Sequence, residues 1–80
     1  MSCEARVRQI VAVVSKRSPD EIAVDADLRV AYGIDSLQGL MIIAHLEKTF
    51  DVMLDVHDLD HCKSVNDIVA VVEPLLGGAQ

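Results

Sequence analysis

Ser36 is the residue of this chain whose type and position are best suited to chemistry. It follows Gly33-Ile34-Asp35 and begins a long apolar segment with the periodicity of a helix. The unpaired N–H groups and the dipole at a helix N-terminus stabilise negative charge, including that of phosphate groups. The position therefore indicates a serine hydroxyl that is presented to solvent and is suited to carry an attached phosphate.

A second possible role of Ser36 is that of the nucleophile in a serine hydrolase. His61 would then be the base, and the residues around the serine approach the GDSL-type hydrolase motif. However, Ile34 interrupts that motif, and no strand pattern precedes the serine. A chain of 80 residues is also too short for the α/β sheet of such an enzyme. We therefore expect no catalytic residues.

A metal site is a third possibility, because His57 and His61 are one helical turn apart and Cys62 follows them. Zinc normally takes three or four protein ligands, and the sequence offers no further residues at suitable spacing. We expect no metal. We interpret Cys62 as a small core residue, since unpaired cysteines are often buried.

Three main helices are predicted from the spacing of apolar residues, and they must position the serine. The first ends at Ser18-Pro19, the second covers 36–50 with Asp35 as its N-cap, and the last begins at Ser64. The residues predicted to face the core are Val7, Ile10, Val11, Val14, Ile42, Ile43, Leu46, Phe50, Val65, Ile68, Val69 and Val72.

A long connection over residues 18–35 joins the first two helices, and its apolar residues suggest that it is laid over them. One short helix fits between the last two, over residues 56–61. We therefore predict an all-α fold in a single domain over residues 1–80. The predicted fold is a small four-helix bundle. It has three main helices, one short helix and a long loop between helices 1 and 2.

The predicted helix over 36–50 is apolar around most of its circumference, which a bundle of this size cannot bury completely. Its second apolar stripe consists of Leu37, Leu40, Met41 and Ala44. We expect part of this stripe to be exposed and to bind a partner, because exposed apolar patches often mark binding sites. The alternative is that the long loop covers it.

Composition and charge exclude several functional classes. A hydrophobic content of 51% is too high for a disordered chain. The net charge of -6, the seven scattered basic residues and the scarcity of aromatic residues argue against nucleic-acid binding. The sequence has no run of 18 apolar residues to span a membrane, and we expect no signal peptide because charged residues interrupt its first 17 positions. Two cysteines without a CxxC motif indicate a reducing compartment, so we expect a cytoplasmic protein. We also expect a monomer.

Over nearly its full length the sequence resembles a stand-alone acyl carrier protein. The segments that carry the resemblance are Gly33-Ile34-Asp35-Ser36-Leu37, Leu46-Glu47-Lys48-Thr49-Phe50, Asp51-Val52-Met53-Leu54 and Ser64-Val65-Asn66-Asp67-Ile68-Val69. The resemblance implies that Ser36 is esterified to 4′-phosphopantetheine, which a phosphopantetheinyl transferase takes from coenzyme A. The terminal thiol of this arm would carry an acyl or aminoacyl group as a thioester. Asp35 would cap the helix and help the transferase to bind, and Leu37 would anchor the helix start.

The sequence departs from carriers of fatty-acid synthesis, which usually place acidic residues just after this motif. Gln38, Met41 and Lys48 stand at such positions here, and only Glu47 is acidic. We therefore expect a carrier of polyketide, nonribosomal peptide or other specialised biosynthesis. Its partners would be acyl- or aminoacyl-loading enzymes and ketosynthase or condensation-type enzymes. The residues expected to bind these partners are Gln38, Leu40, Met41, Ala44 and Glu47.

One further function from a different class is an unmodified helical adaptor. Such a protein would bind its partner through the apolar face of the helix over 36–50. Ser36 would then be only a capping residue. Its replacement by alanine would weaken folding if the serine is itself the cap.

Overall fold

The computed structural model describes residues 2–77, and all the regular structure within this range is helical. The all-α fold is therefore confirmed. The helices are α1 (Cys3–Ser15), α2 (Leu28–Tyr32), α3 (Ser36–Phe50), α4 (Val56–Asp60) and α5 (Val65–Gly77), and a 3₁₀ turn at Pro19–Glu21 lies between α1 and α2.

The core lies where α1 packs against α3 and α5, and α4 contacts α3 and α5 from one side. Small aliphatic side chains fill it, and the largest fully buried ones are Leu46, Val7, Val11, Val65 and Val72. Nine of the twelve predicted core residues are buried, which confirms the helix faces. Phe50 and Val69 are half-buried but pack against this core, as predicted, and Ile43 is also half-buried. Ile43 faces a cavity rather than a packed neighbour.

The connection between α1 and α3 differs from the predicted loop, because residues Leu28–Tyr32 form α2. The carboxylate of Asp27 starts this helix by accepting hydrogen bonds from the N–H groups of Arg29 (2.9 Å) and Val30 (3.1 Å). Gly33 ends it in the left-handed conformation, with φ of 66°, which glycine adopts without steric cost. Within residues 2–77 the bundle therefore has two short α-helices instead of the one predicted.

The same connection is laid over the core, as predicted. Ile22, Leu28 and Ile34 are buried in it. The Tyr32 hydroxyl accepts a hydrogen bond from the Ala23 N–H (2.7 Å) and donates one to the Glu21 carbonyl (3.1 Å). The segment before α2 is thereby fixed to the end of α2.

Asp67 fixes the start of α5 and confirms the predicted capping by Ser64. Its Oδ2 atom accepts hydrogen bonds from the N–H groups of Lys63 (2.9 Å) and Ser64 (3.2 Å), and its own N–H donates to Ser64 Oγ (3.3 Å). These bonds, first among them the one from the Lys63 N–H, hold the pKa of Asp67 below its usual range.

Leu46 and Leu37 provide a matched test of the two faces of α3, because Leu46 is 0% exposed and Leu37 is 67% exposed. We expect Leu46→Ala to lower the free energy of unfolding by about 2–5 kcal/mol, since it leaves a cavity in the core. Leu37→Ala should change that energy by less than about 0.5 kcal/mol. Urea unfolding followed by circular dichroism measures both, and equal losses would contradict the assignment of the faces.

Candidate functional site

The chain turns sharply between α2 and α3, and this turn places Ser36 at the first position of α3. The N–H of Ile34 donates to the Leu28 carbonyl (3.2 Å), and the Ile34 side chain is buried in the core. The residues before the serine are therefore anchored by backbone bonding and by burial.

Asp35 is the N-cap of α3, as predicted. Its Oδ1 atom accepts a hydrogen bond from the Gln38 N–H (2.8 Å), and Gln38 Oε1 accepts one from the Asp35 N–H (3.3 Å). The two residues thus form a reciprocal capping box. Gln38, which sequence analysis assigned to partner binding, is half-buried and has its amide oxygen engaged in this box.

Ser36 itself is exposed, and within residues 2–77 its hydroxyl makes no hydrogen bond. The hydroxyl is therefore free to react with an external group. Because α3 begins at this residue, a negative charge attached to the oxygen would lie at the positive end of the helix dipole. An exposed, unengaged hydroxyl at this place fits a phosphodiester linkage.

Beside Ser36 lies a cavity of about 440 Å³ that is bounded by α2, α3, α4 and the start of α5. Its walls are mainly apolar. The apolar residues that line it are Leu28, Val30, Ile34, Leu40, Ile42, Ile43, Val56, Leu59, Cys62 and Ile68. This cavity has no signal in the sequence, since it depends on how α2 and α4 are placed against α3.

The second apolar stripe of α3 is exposed, which confirms the expected exposure and contradicts the alternative in which the loop covers it. Partner binding by this stripe stays a prediction. The exposed fractions are 67% for Leu37, 52% for Leu40 and 45% for Met41, and Ala44 is exposed as well. Leu40 also lines the cavity, so the stripe and the cavity share an edge. We call Leu37, Leu40, Met41 and Ala44 the exposed stripe.

Two further exposed apolar residues near the site were not identified from the sequence. Val30 of α2 is 85% exposed and Val56 of α4 is 47% exposed, and both line the cavity with Leu40. The available sequence signal was for α2, the helix that carries Val30, because Asp27 and Gly33 are suited to cap its two ends. These residues widen the apolar surface around the cavity.

Glu47, the acidic residue assigned to partner binding, has a structural contact. Its Oε2 atom accepts a hydrogen bond from the Leu54 N–H (3.0 Å), and its side chain is half-buried. This bond holds the segment between α3 and α4 against the end of α3. Partner binding by Glu47 stays a prediction.

The residues of the alternative chemistries are not assembled around Ser36. His61 is exposed, follows α4 and does not line the cavity. Cys62 is half-buried, with its thiol directed to the Asp58 carbonyl (3.5 Å), and burial raises the pKa of the thiol. Across the described range we find no group of three His, Cys, Asp or Glu side chains that could hold a metal ion.

None of the helices within residues 2–77 is both long enough and apolar enough to cross a bilayer.

Comparison with known proteins identifies relatives of the whole helical unit. A family model described as "Phosphopantetheine attachment site" matches residues 5–72. An acyl carrier protein of Akkermansia muciniphila is 29% identical over 76 residues, which make up 95% of this chain and 95% of that protein. An acyl carrier protein of an Exiguobacterium species is 29% identical over 70 residues, with 88% and 89% of the two chains covered.

Two of the similar proteins are much larger. The citrinin polyketide synthase of Monascus ruber is 31% identical over 72 residues, which are 90% of this chain and 3% of the synthase. The non-reducing polyketide synthase tazA of Aspergillus terreus is 34% identical over 71 residues, which are 89% of this chain and 3% of that protein.

The capping box predicts that Asp35 and Ser36 respond differently to alanine substitution. Asp35→Ala removes the acceptor of the Gln38 N–H and should lower the free energy of unfolding by about 0.5–2 kcal/mol. Ser36→Ala removes an unengaged hydroxyl and should change it by less than about 0.5 kcal/mol. Thermal unfolding of both variants tests this, and a larger loss for Ser36→Ala would show that the serine is the cap.

Proposed function

Since this chain belongs to the acyl carrier protein family, whose members carry covalently attached 4′-phosphopantetheine, we propose that Ser36 is the attachment residue. The observation that carries this proposal is the exposed Ser36 hydroxyl, unengaged within the described residues, at the capped start of α3. Its position inside the matched range supports the proposal. In the attachment step Ser36 Oγ would lose its proton and attack the pyrophosphate of coenzyme A on the transferase. The P–O bond between the attacked phosphorus and the oxygen that bridges the two phosphorus atoms would break, a phosphodiester to Ser36 would form, and adenosine 3′,5′-bisphosphate would leave.

Acyl carrier proteins are carriers rather than catalysts. In the proposed function this chain likewise carries the cargo, and separate enzymes catalyse the reactions. The terminal thiol of the arm supplies the thioester linkage to the acyl or aminoacyl cargo. The residues of the chain position the arm. Asp35 and Gln38 hold the start of α3, and the exposed Leu37 side chain lies next to Ser36 in the first turn of this helix. Tethering raises the effective concentration of the cargo for partner enzymes.

We further propose that the cargo belongs to polyketide, nonribosomal peptide or other specialised biosynthesis. The similarity to proteins named as polyketide synthases supports this assignment. So does the non-acidic character of Gln38 and Met41 after the serine. Residues 1–80 would form a single carrier domain, and the two unpaired cysteines fit the reducing cytoplasm.

The proposed partners are the phosphopantetheinyl transferase, a loading enzyme and ketosynthase or condensation-type enzymes. They would dock on the exposed stripe, with Gln38 and Glu47 at its edges. Support comes from its exposure and from its position on the same helix as Ser36. An apolar surface of this kind depends little on charge, so docking should be less sensitive to salt than docking through acidic residues.

Intact mass tests the attachment directly. After incubation with coenzyme A and a broad-specificity phosphopantetheinyl transferase, the protein should gain the mass of one phosphopantetheine. Peptide mapping should place it on Ser36, and Ser36→Ala should gain nothing. Ser18→Ala is the matched control, because Ser18 is also exposed and precedes a helical turn. A folded protein that gains no mass would instead favour the unmodified adaptor.

Docking through the exposed stripe predicts a specific pattern of affinities for a ketosynthase partner. Leu40→Ala should weaken binding of the phosphopantetheine-bearing protein by roughly fivefold or more, since central apolar contacts carry most of the binding energy. Val13→Ala is the control, because Val13 is similarly exposed but lies on α1. Isothermal titration at low and high salt measures both effects. A strong loss of affinity in salt, with no effect of Leu40→Ala, would contradict apolar docking.

A further inference from the structure

Two basic residues, Arg29 and Lys63, line the cavity that also contains Ser36. In the described part of the chain, neither has a carboxylate oxygen within the 4.0 Å of a salt bridge. By contrast, Arg8 and Arg17 pair with Glu4 and Glu21. These two cations therefore stand beside the proposed attachment residue without an ion-pair partner.

Backbone hydrogen bonds join the segments that carry these cations to the segment that precedes the serine. The Leu28 N–H donates to the Lys63 carbonyl (2.7 Å), and the Leu28 carbonyl accepts from the Ile34 N–H (3.2 Å). Leu28 directly precedes Arg29, and Ile34 lies two residues before Ser36. Since Leu28 is buried, this junction fixes the backbones of all three segments in one place.

Three carboxylates, those of Asp27, Asp35 and Asp60, line the same cavity, and each has a contact other than the two basic residues. Asp27 accepts from the N–H groups at the start of α2, and Asp35 accepts from the Gln38 N–H. Asp60 Oδ2 lies 3.9 Å from His57 Nδ1. The Asp27 and Asp35 carboxylates thus bond to backbone N–H groups at the helix starts, and within the described residues none of the three carboxylates forms an ion pair with Arg29.

The carboxylate of Asp67 partly compensates the positive charge of Lys63. The Lys63 backbone N–H is the main cause of the lowered pKa of Asp67, and the Lys63 charge is a smaller one. The Asp27 carboxylate likewise accepts a hydrogen bond from the Arg29 backbone N–H (2.9 Å), but it forms no ion pair with the guanidinium within the described residues. The Arg29 guanidinium also presents a planar fork of N–H donors, which matches carboxylate and phosphate oxygens. Arg29 is thus the principal residue of the pair.

We propose that Arg29, assisted by Lys63, binds an anionic group that is attached through Ser36. This inference rests on the proposed function. Two sources supply such a group: the phosphodiester of the arm, and a carboxylate at the far end of the acyl cargo. In the second case the carrier selects acids that carry a free carboxylate over neutral acyl chains of the same length.

Four forms of the protein distinguish the two sources: unmodified, holo with a free thiol, butyryl-loaded and succinyl-loaded. Butyryl and succinyl groups have the same number of carbon atoms, and only succinyl carries a carboxylate. The transferase loads them from the corresponding coenzyme A thioesters. The measurements are the thermal unfolding midpoint and the NMR shift of the Arg29 Nε–H group.

If the phosphodiester is the ligand, the Arg29 signal should shift between the unmodified and the holo form. If the cargo carboxylate is the ligand, it should shift between the butyryl and the succinyl form. The responding form should also unfold about 1–4 °C higher at low salt, and the difference should shrink as salt is added.

Arg29→Gln should remove the difference in unfolding midpoint, and Arg29→Lys should retain part of it. Lys48→Gln is the control, because Lys48 is an exposed cation of α3 that does not line the cavity. An Arg29 signal that is unchanged in all four forms overturns this inference alone. So does an equal effect of Arg29→Gln and Lys48→Gln. An unchanged intact mass after loading overturns the proposed function and this inference together.

Discussion

At the start of α3, the Asp35 carboxylate accepts the Gln38 N–H and the Gln38 amide oxygen accepts the Asp35 N–H. A helix needs such acceptors because its first N–H groups have no partner within the helix. A serine commonly supplies this acceptor when it is the N-cap residue, which is the position of Asp35 here. Here the two neighbouring side chains do so, and the Ser36 hydroxyl is left unengaged in the described structure. The site depends on this division between a residue that caps and a residue that is presented.

The connection between α1 and α3 forms one wall of the cavity beside the exposed serine. If it were only a linker, α3 would have no wall opposite its first turn. Instead Asp27 nucleates α2, and buried Leu28 joins that helix to Lys63 and Ile34 through its backbone. The result is a cavity that is closed by packed elements on several sides. The apolar residues of this segment are therefore used both to cover the core and to build the cavity.

The sequence was sufficient for features that arise from local physics. Apolar spacing predicts the three long helices, and the side chains of Asp35 and Ser64 predict where two of them start. Helix α2 was missed because five residues are too few to show a periodicity. Its caps, Asp27 and Gly33, were the available signal. The cavity and the hydrogen bond from Leu54 to Glu47 depend on how segments meet in space, so no local pattern specifies them.

The geometry of α3 explains why one helix has two apolar surfaces. At 100° per residue, Ser36, Leu40 and Ile43 lie along one line of the helix, between the buried face and the exposed stripe. Ile43 lies on the cavity side, and Leu40 belongs to both the cavity wall and the exposed stripe. An arm attached to Ser36 therefore starts at the border between an internal apolar space and an external one. A partner that covers the stripe also covers the edge of the cavity, so docking and the placement of cargo would share the same side chains.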